Sequence, residues 1–403
     1  MSAVAERIGV GGVTTTLRAR EYIASVLDSE WYSPGKWCAR FEREWAALHD
    51  RAFAVFVNSG TSALHVAIAA LKEKHGWQTG YKVIIPALTF VASVNVVLAN
   101  RLKPVFADID PYYGIDLSKP PPPDTVAVMP VHINGQQCSM ELVSAYAEMY
   151  DLRIVEDSCQ CVAAPYKGKT AWGEVSCYST YACHHVTTGV GGFAATDDAD
   201  LAVLIRSLAN HGRDGIPRTP SDVPSRRFRF ERQGYSYRAS EFEAAVGCAQ
   251  LPDLRTELQR RREMADFFAE TLSDLPLVLP RQRPGAQWWP MFYPVLTPYR
   301  DRHEALLEEN GVETRRFLPL DVATNWARYT GTVPEMRELL TYARPPMDAY
   351  PQEPQQPPKP SNTTRTYIRK NVAGKTADSK QAMMQKMMTI VVVTRYLFFL
   401  SEE

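Results

Sequence analysis

The sequence predicts an α/β protein whose large domain holds a mainly parallel β-sheet covered by helices on both faces. Short runs rich in Val and Ile alternate with helical segments between residues 53 and 157, which is the pattern of parallel strands buried on both faces. Polar loops follow four of these strands, at residues 58–64, 88–93, 131–137 and 156–160. Because ligands bind outside the carboxyl ends of such strands, we expect these loops to converge on one site.

Composition places the chain among ordinary globular proteins. Its 403 residues suffice for two domains, and 45% are hydrophobic and 22% charged. The formal net charge is zero, so no basic field favours nucleic acid or an anionic membrane. The first residues lack a signal-peptide pattern, and no apolar run reaches the roughly 18 residues of a membrane span. Seven scattered cysteines indicate reduced thiols, so we expect a cytoplasmic protein.

The elements can be assigned in chain order. Residues 15–50 are predicted to form two helices separated by a turn at residues 33–35, and the aromatic stripe on the second helix is typical of core or of a subunit contact. Strands then follow at 52–57, 81–85, 103–109, 125–133 and 152–157, with helices at 61–75, 90–100 and 140–150. A further helix is predicted at 198–212. A longer helical segment covers 241–272 and is broken at Pro252.

A smaller second domain is expected after the long helix. Residues 287–297 are predicted to form an edge strand, 302–311 a helix and 312–318 another strand. Beyond residue 345 the chain becomes rich in proline, and the apolar segment 383–400 could be a terminal helix that packs on the body. The expected division is therefore residues 1–250 for the large domain, 251–345 for the small α/β domain and 346–403 for an atypical tail.

Residues 58–64 offer an anion site between a strand and a helix. Free amides and the positive dipole end at a helix start favour a phosphate, and Gly60 allows close approach of the backbone. Ser59 and Thr61 could equally do no more than cap the helix. From the residues alone the two interpretations are balanced.

The stretch 155–192 carries the groups from which a cofactor site can be built. Asp157 ends an apolar strand and could pair with a protonated heterocycle. Ser179 lies on a hydroxyl-rich strand and could bind a phosphate, while His184 and His185 supply imidazoles beside a glycine-rich turn at 189–192. An imidazole moves protons near neutral pH.

These motifs resemble the DegT/DnrJ/StrS family of pyridoxal-phosphate (PLP) sugar aminotransferases over roughly residues 30–320. The resemblance implies the aspartate aminotransferase fold (fold type I), a PLP-dependent transferase with a small α/β C-terminal domain, and a homodimer with its sites at the interface. It also implies that Asp157 pairs with the cofactor nitrogen. The other implied cofactor-binding residues are Ser59, Gly60 and Thr61 in the phosphate loop, Phe90 and Gln160 against the ring, Ser179 at the phosphate, and Ser236 in the 234–238 segment that reaches the partner subunit. His132 is expected to line the site.

One position departs from the family pattern, because His184 stands where the family carries the lysine that binds the cofactor. Imidazole cannot form that covalent bond, so the cofactor would be held non-covalently, as pyridoxamine 5'-phosphate (PMP). A branch of the family with this histidine resembles the segment 182–192. It comprises nucleotide-sugar 3-dehydratases, in which the histidine acts as the base on a 4-keto-6-deoxy sugar and L-glutamate regenerates PMP. Val190 departs from that branch, since it replaces a glutamate.

The leading hypothesis is therefore a 3-dehydratase with His184 as the catalytic base. Some dehydratases of this kind hold an iron–sulfur cluster on four downstream cysteines, whereas here only Cys248 lies beyond His184, so no metal is expected. One alternative is a glutamate-dependent sugar aminotransferase. Another is a non-catalytic member that kept the fold, although a protein without catalysis has no reason to keep Asp157, Gln160 and Ser179.

Overall fold

The computed structural model describes residues 15–213, residues 229–316 apart from 276, 298 and 310, and residues 390–393. Two helices open the described chain, as predicted: α1 (Leu17–Asp28) and α2 (Lys36–Leu48). The start of α2 has no cap from its own segment. The carboxylate of Glu241 accepts hydrogen bonds from three amides there instead. The aromatic stripe of α2, which is Trp37, Phe41 and Trp45, is buried and therefore belongs to the core.

A seven-stranded sheet forms the centre of the described chain. Its strands are β1 (Phe53–Val57), β2 (Lys82–Pro86), β3 (Lys103–Ala107), β4 (Thr125–Val128), β5 (Arg153–Asp157), β6 (Val175–Ser179) and β7 (Gly192–Thr196). They lie in the order β1-β7-β6-β5-β4-β2-β3. Only β7 is antiparallel to its neighbours, so the other six strands point the same way. Their carboxyl ends share one edge, and β7 begins at that edge.

Helices cover both faces of this sheet, as the near-continuous apolar strands predicted. They are α3 (Gly60–His75), α4 (Val91–Ala99), α5 (Met140–Met149), α6 (Ala199–Ala209) and α7 (Glu241–Gln250). Alternate residues of β1 separate the two layers. Val55 packs in the cluster with α3, α4 and α6, whereas Phe56 packs in the cluster with α2 and α7. The predicted break at Pro252 is a single turn between α7 and α8 (Leu254–Thr271).

A second, two-stranded sheet lies beyond α8. Here β8 (Tyr293–Leu296) pairs in parallel with β9 (Ile390–Val393). The predicted strand at 287–297 and the predicted helix at 302–311 are confirmed by β8 and α9 (Arg300–Glu309).

Two predictions for this region are wrong. Residues 312–316 form no strand, and residues 317 and 318 lie outside the described chain. Residues 390–393 form β9 instead of part of a terminal helix, because a run of β-branched residues favours pairing with a strand. The proline-rich segment falls outside the described residues. No helix in the described ranges is both long enough and apolar enough to cross a bilayer.

Candidate active site

The loops at the carboxyl edge of the sheet meet around Gly60. A Cβ atom at Gly60 would lie 2.8 Å from both Cys159 Sγ and Ser179 Cβ. A Cβ at Gly192, where β7 begins, would lie 2.5 Å from the amide nitrogen of Gly60. The phosphate loop, the loop after β5, the end of β6 and the start of β7 are therefore in direct contact. A side chain at either glycine would force these segments apart, because it would meet side-chain atoms of Cys159 and Ser179 at Gly60 and the backbone of residues 59 and 60 at Gly192.

Ser59 caps α3 in this structure. Its Oγ accepts from the amide of Ser62 at 3.0 Å, and the hydroxyl of Ser62 donates to Asn58 Oδ1 at 2.7 Å. The amides of Gly60 and Thr61, which lie between Ser59 and Ser62, have no acceptor within the helix. The side chain of Thr61 is exposed. Capping by Ser59 and an anion at the following amides are thus compatible, so the two interpretations of this loop do not exclude each other.

Asp157 is a buried carboxylate, 4% exposed, at the end of β5. Its Oδ2 accepts from the hydroxyl of Ser93 at 2.7 Å, and its Oδ1 accepts from the amide of Cys159 at 3.2 Å. Asp157 forms no ion pair with any other described residue. A buried carboxylate without a cation is costly, and a protonated ring nitrogen such as that of PLP would supply the missing positive partner. The donor set therefore fits this cofactor.

Three other predicted residues surround the same edge. Gln160 Oε1 accepts from the amide of Asn134 at 3.0 Å. Ser179 is buried at the end of β6, next to Gly60. Phe90 stands at the start of α4 and is 59% exposed, although large aromatic side chains are usually buried. Its role against a cofactor ring stays a prediction.

His184 contacts the loop that follows Asp157. Its Nδ1 is 2.5 Å from the carbonyl oxygen of Cys159. Because a carbonyl oxygen only accepts, Nδ1 carries a proton, and in the neutral ring Nε2 carries the lone pair. Burial lowers the pKa of His184 below its usual value of 6.5, and the nearby carbonyl and Asp157 oppose that shift only in part. The imidazole is therefore neutral at pH 7, and no described side chain forms a hydrogen bond with its Nε2.

The loop that carries His184 is fixed from outside. Nε2 of His185 donates to the carbonyl of Trp289 at 2.7 Å, and burial lowers the pKa of His185 to about 3. Gln250, which the sequence did not single out, bonds to both the amide and the carbonyl of Thr187, at 3.1 Å and 2.6 Å. Val190 is half exposed. The segment around His184 is thus held by three hydrogen bonds with residues outside it.

Of Ser236 and His132, only His132 lies differently from expectation. Ser236 is exposed and accepts from Arg238 at 3.0 Å. Its segment adjoins the phosphate loop, since the amide of Asn58 donates to the carbonyl of Tyr237. Its predicted contact with a partner subunit stays a prediction. The expectation that His132 lines the site is wrong, because it is fully buried and donates through Nε2 to Glu156 at 2.9 Å.

Ser93 and Thr89 are site residues that the sequence did not single out. Both are buried and hydrogen-bonded to each other at 2.7 Å. They flank Phe90 and stand four residues apart, at and just before the first turn of α4. Two hydroxyls at this helical spacing, directly after a buried strand, are the signal that could have identified them.

Known proteins resemble this chain in sequence and in fold. The model of the DegT/DnrJ/EryC1/StrS aminotransferase family matches residues 15–344. GDP-perosamine synthase of Caulobacter vibrioides is 33% identical over 276 residues, which are 67% of this chain and 71% of that protein.

Solved structures give the same picture. DesV of S. venezuelae, in complex with a ketimine intermediate, superposes with a TM-score of 0.73 at 28% identity, over 84% of this chain and 92% of that one. A mutant of the GDP-4-keto-6-deoxymannose-3-dehydratase ColD with bound GDP-perosamine superposes with a TM-score of 0.74 over 82% and 93% of the two chains. At 24% identity, this second likeness concerns the fold alone.

Proposed function

Because the chain belongs to the DegT/DnrJ/EryC1/StrS aminotransferase family of PLP-dependent enzymes, we propose that it acts on a nucleotide-linked 4-keto-6-deoxy sugar and removes the hydroxyl at carbon 3. His184 is the base of this 3-dehydration. L-Glutamate returns the cofactor to its amine form. The family and the cofactor leave the reaction open, since sugar aminotransferases and 3-dehydratases share them. The histidine at residue 184 supports the dehydratase.

The single observation that carries the proposal is the hydrogen bond from His184 to the carbonyl of Cys159. It fixes the tautomer, so the lone pair is on Nε2. The lowered pKa of His184 keeps that lone pair free at neutral pH. A general base needs both properties, and a buried side chain with no function needs neither.

The remaining side chains have holding roles. When bound, PLP or PMP supplies an electron sink beside the sugar carbonyl. Asp157 would hold the proton on the ring nitrogen, and Phe90 and Gln160 would pack against the ring. The amides after Ser59, together with Ser179, would bind the phosphate. His184 Nε2 would then accept a proton from the carbon next to the amine.

A sugar aminotransferase is the competing function, because the family model and a curated relative's name point to amino transfer. Such a reaction ordinarily uses a lysine. Four described lysines make hydrogen bonds elsewhere: Lys72 to Asn100, Lys74 to Glu174, Lys82 to Pro123 and Lys167 to Glu141. Within the described ranges, no lysine bonds to Asp157 or His184. Dehydration is therefore favoured.

The test is mass spectrometry of the products formed from a panel of nucleotide-linked 4-keto-6-deoxyhexoses with PLP and L-glutamate. A product that lacks one oxygen is expected. An amino group in place of the ketone would refute the dehydratase and establish transamination. As a matched variant, His184→Lys restores the family's residue. Transamination by this variant alone would exclude that reaction for the native protein.

We further propose a homodimer in which Ser236 reaches the partner subunit's site, and a boundary between a large and a small domain near residue 250. Three features of the described chain support these assignments. The segment 234–238 is partly exposed beside the phosphate loop, α7 and α8 meet at residues 251–253, and a separate sheet follows. Sedimentation velocity of the native protein would test the dimer.

A further inference from the structure

We infer that Thr89 and Ser93 form a hydroxyl relay that positions Asp157 for the cofactor nitrogen. Both are positioning residues, since they would act on the cofactor through the carboxylate. The inference rests on the proposed role of Asp157. It adds to the site two residues that flank Phe90, namely Ser93 in the first turn of α4 and Thr89 just before the helix.

The direction of the relay follows from hydrogen-bond chemistry. An ionised carboxylate only accepts, so the hydroxyl of Ser93 donates its proton to Asp157 Oδ2, at 2.7 Å. Ser93 Oγ then has only lone pairs left. Thr89 must therefore be the donor in the 2.7 Å contact between the two hydroxyls. The chain of donors runs from Thr89 through Ser93 to Asp157.

Burial shields the hydrogen bonds of the relay from solvent. Ser93 is 0%, Thr89 1% and Asp157 4% exposed, so solvent does not compete for these groups. Successive hydrogen bonds in a low-dielectric setting polarise and strengthen each other. Donation from Thr89 thereby makes Ser93 a better donor to the carboxylate.

The relay also fixes the orientation of the carboxylate. Oδ2 is held by Ser93 and Oδ1 by the amide of Cys159. Each oxygen still has a lone pair for one further donor. Without Ser93, the carboxylate would keep only its contacts with Cys159, which are the 3.2 Å bond from the amide and a weak bond from the thiol. It could then rotate more freely about its χ2 torsion.

Phe90 lies between the two hydroxyl residues, at the start of α4. The hydroxyls face the buried side of this turn, and the phenyl ring faces outward. One turn would thus set both the face of the cofactor ring, through Phe90, and its nitrogen edge, through Asp157. A displacement of α4 would disturb the two contacts together.

The experiment compares wild type with Ser93→Ala, Ser93→Cys and Thr89→Val. Each protein is titrated with PLP labelled with nitrogen-15 in the ring. The NMR shift of that nitrogen reports its protonation, and absorbance gives the dissociation constant. Loss of a donor to a charged group predicts that Ser93→Ala weakens binding about tenfold or more and moves the shift towards the unprotonated value. Ser93→Cys keeps a weak donor, so a smaller change is expected, as it is for Thr89→Val.

Thr196→Val is the matched control, because Thr196 is equally buried and its hydroxyl donates to the carbonyl of Glu174, away from the site. It should leave the nitrogen signal unchanged. A wild-type signal and affinity in folded Ser93→Ala, with sugar dehydration intact in wild type, would overturn the relay alone. If Ser93→Ala does not fold, an unchanged signal in Thr89→Val and Ser93→Cys would overturn it equally. Failure of wild type to bind PLP would overturn the proposed function as well.

Discussion

His184 and Asp157 are joined through a single residue, Cys159. The amide of Cys159 donates to Asp157 Oδ1, and its carbonyl accepts from His184 Nδ1. The backbone of one residue therefore orients both the carboxylate expected at the cofactor nitrogen and the proposed base. Any shift of this loop changes both groups at once.

Activity should depend on the neutral form of His184. Burial lowers its pKa below 6.5, so protonation removes the base at a lower pH than it would for an ordinary histidine. The acid limb of the kcat profile should lie below pH 6.5. His184→Asn keeps a donor for the carbonyl of Cys159 but has no base, so kcat should fall about 10²- to 10⁴-fold. An unchanged acid limb in the residual activity of this variant would assign the limb to another group.

Substitution at Gly60 should weaken cofactor binding. An alanine Cβ would lie 2.8 Å from both Cys159 and Ser179, so Gly60→Ala must displace the phosphate loop. We expect the dissociation constant for PLP, measured by absorbance titration, to rise about tenfold or more. Gly76→Ala is the control at the other end of α3. The added Cβ at residue 76 would meet no atom within 4 Å, but the φ of +66° is strained for alanine. The substitution should therefore cost only about 1 kcal/mol of stability. Equal PLP affinity in the two variants would contradict a tight loop.

Gly135 should be irreplaceable for stability. A Cβ there would lie 1.7 Å from the carbonyl oxygen of Trp289, which also accepts from His185. Gly168 has a similar positive φ, +85° against +79°, but meets nothing within 4 Å. Chemical denaturation should show a loss of more than about 3 kcal/mol for Gly135→Ala and about 1 kcal/mol for Gly168→Ala. Similar losses would mean that strain, not the clash, sets the cost.

Stability should fall in acid partly because of His185. The unfolded chain protonates this residue near pH 6.5, whereas the folded protein does so only near a pKa of about 3. The unfolded state therefore binds more protons between these values, and stability decreases as pH falls, by at most about 1.4 kcal/mol per pH unit from this group.

His185→Gln keeps a donor for Trp289 and does not titrate. Denaturation midpoints measured between about pH 4 and pH 7 should show a shallower pH dependence for this variant. His49, also buried with a pKa lowered to about 4, is present in both proteins and cancels in the comparison. Parallel pH dependences would show that His185 contributes nothing.

Sequence patterns were sufficient for the layers of the fold and for its type. Buried Val and Ile runs predicted β1 to β5, and the motifs predicted the family and the aspartate aminotransferase (fold type I) architecture, both of which are confirmed. The predicted PLP cofactor follows from membership of that family. Patterns succeed here because periodicity and burial are local properties of a segment.

The direction in which individual polar side chains point could not be predicted in the same way. Glu156 and Asp157 are consecutive on β5, and neighbours on a strand point to opposite faces. Asp157 meets Ser93, which is 64 positions away. Glu156 instead accepts a hydrogen bond from the buried His132. Burial alone would raise the pKa of Glu156, but the hydrogen bonds from His132 and from the amide of Gly173 lower it to about 2. Such contacts depend on tertiary packing, so the sequence placed His132 wrongly and overlooked Ser93.

The reversed strand β7 has a consequence for how the protein is made. The phosphate loop follows β1, and among the described strands β1 pairs with β7 alone. Val57 at the end of β1 forms a further single bridge to Arg238. Closing the pocket around Gly60 therefore requires residues synthesised well over a hundred positions later, and chains with such distant pairings fold slowly. A ribosome-bound chain that ends before residue 192 holds Asp157 and His184 but has no β7 to complete their pocket. Binding of the predicted cofactor would therefore have to await β7, after Asp157 and His184 have already been synthesised.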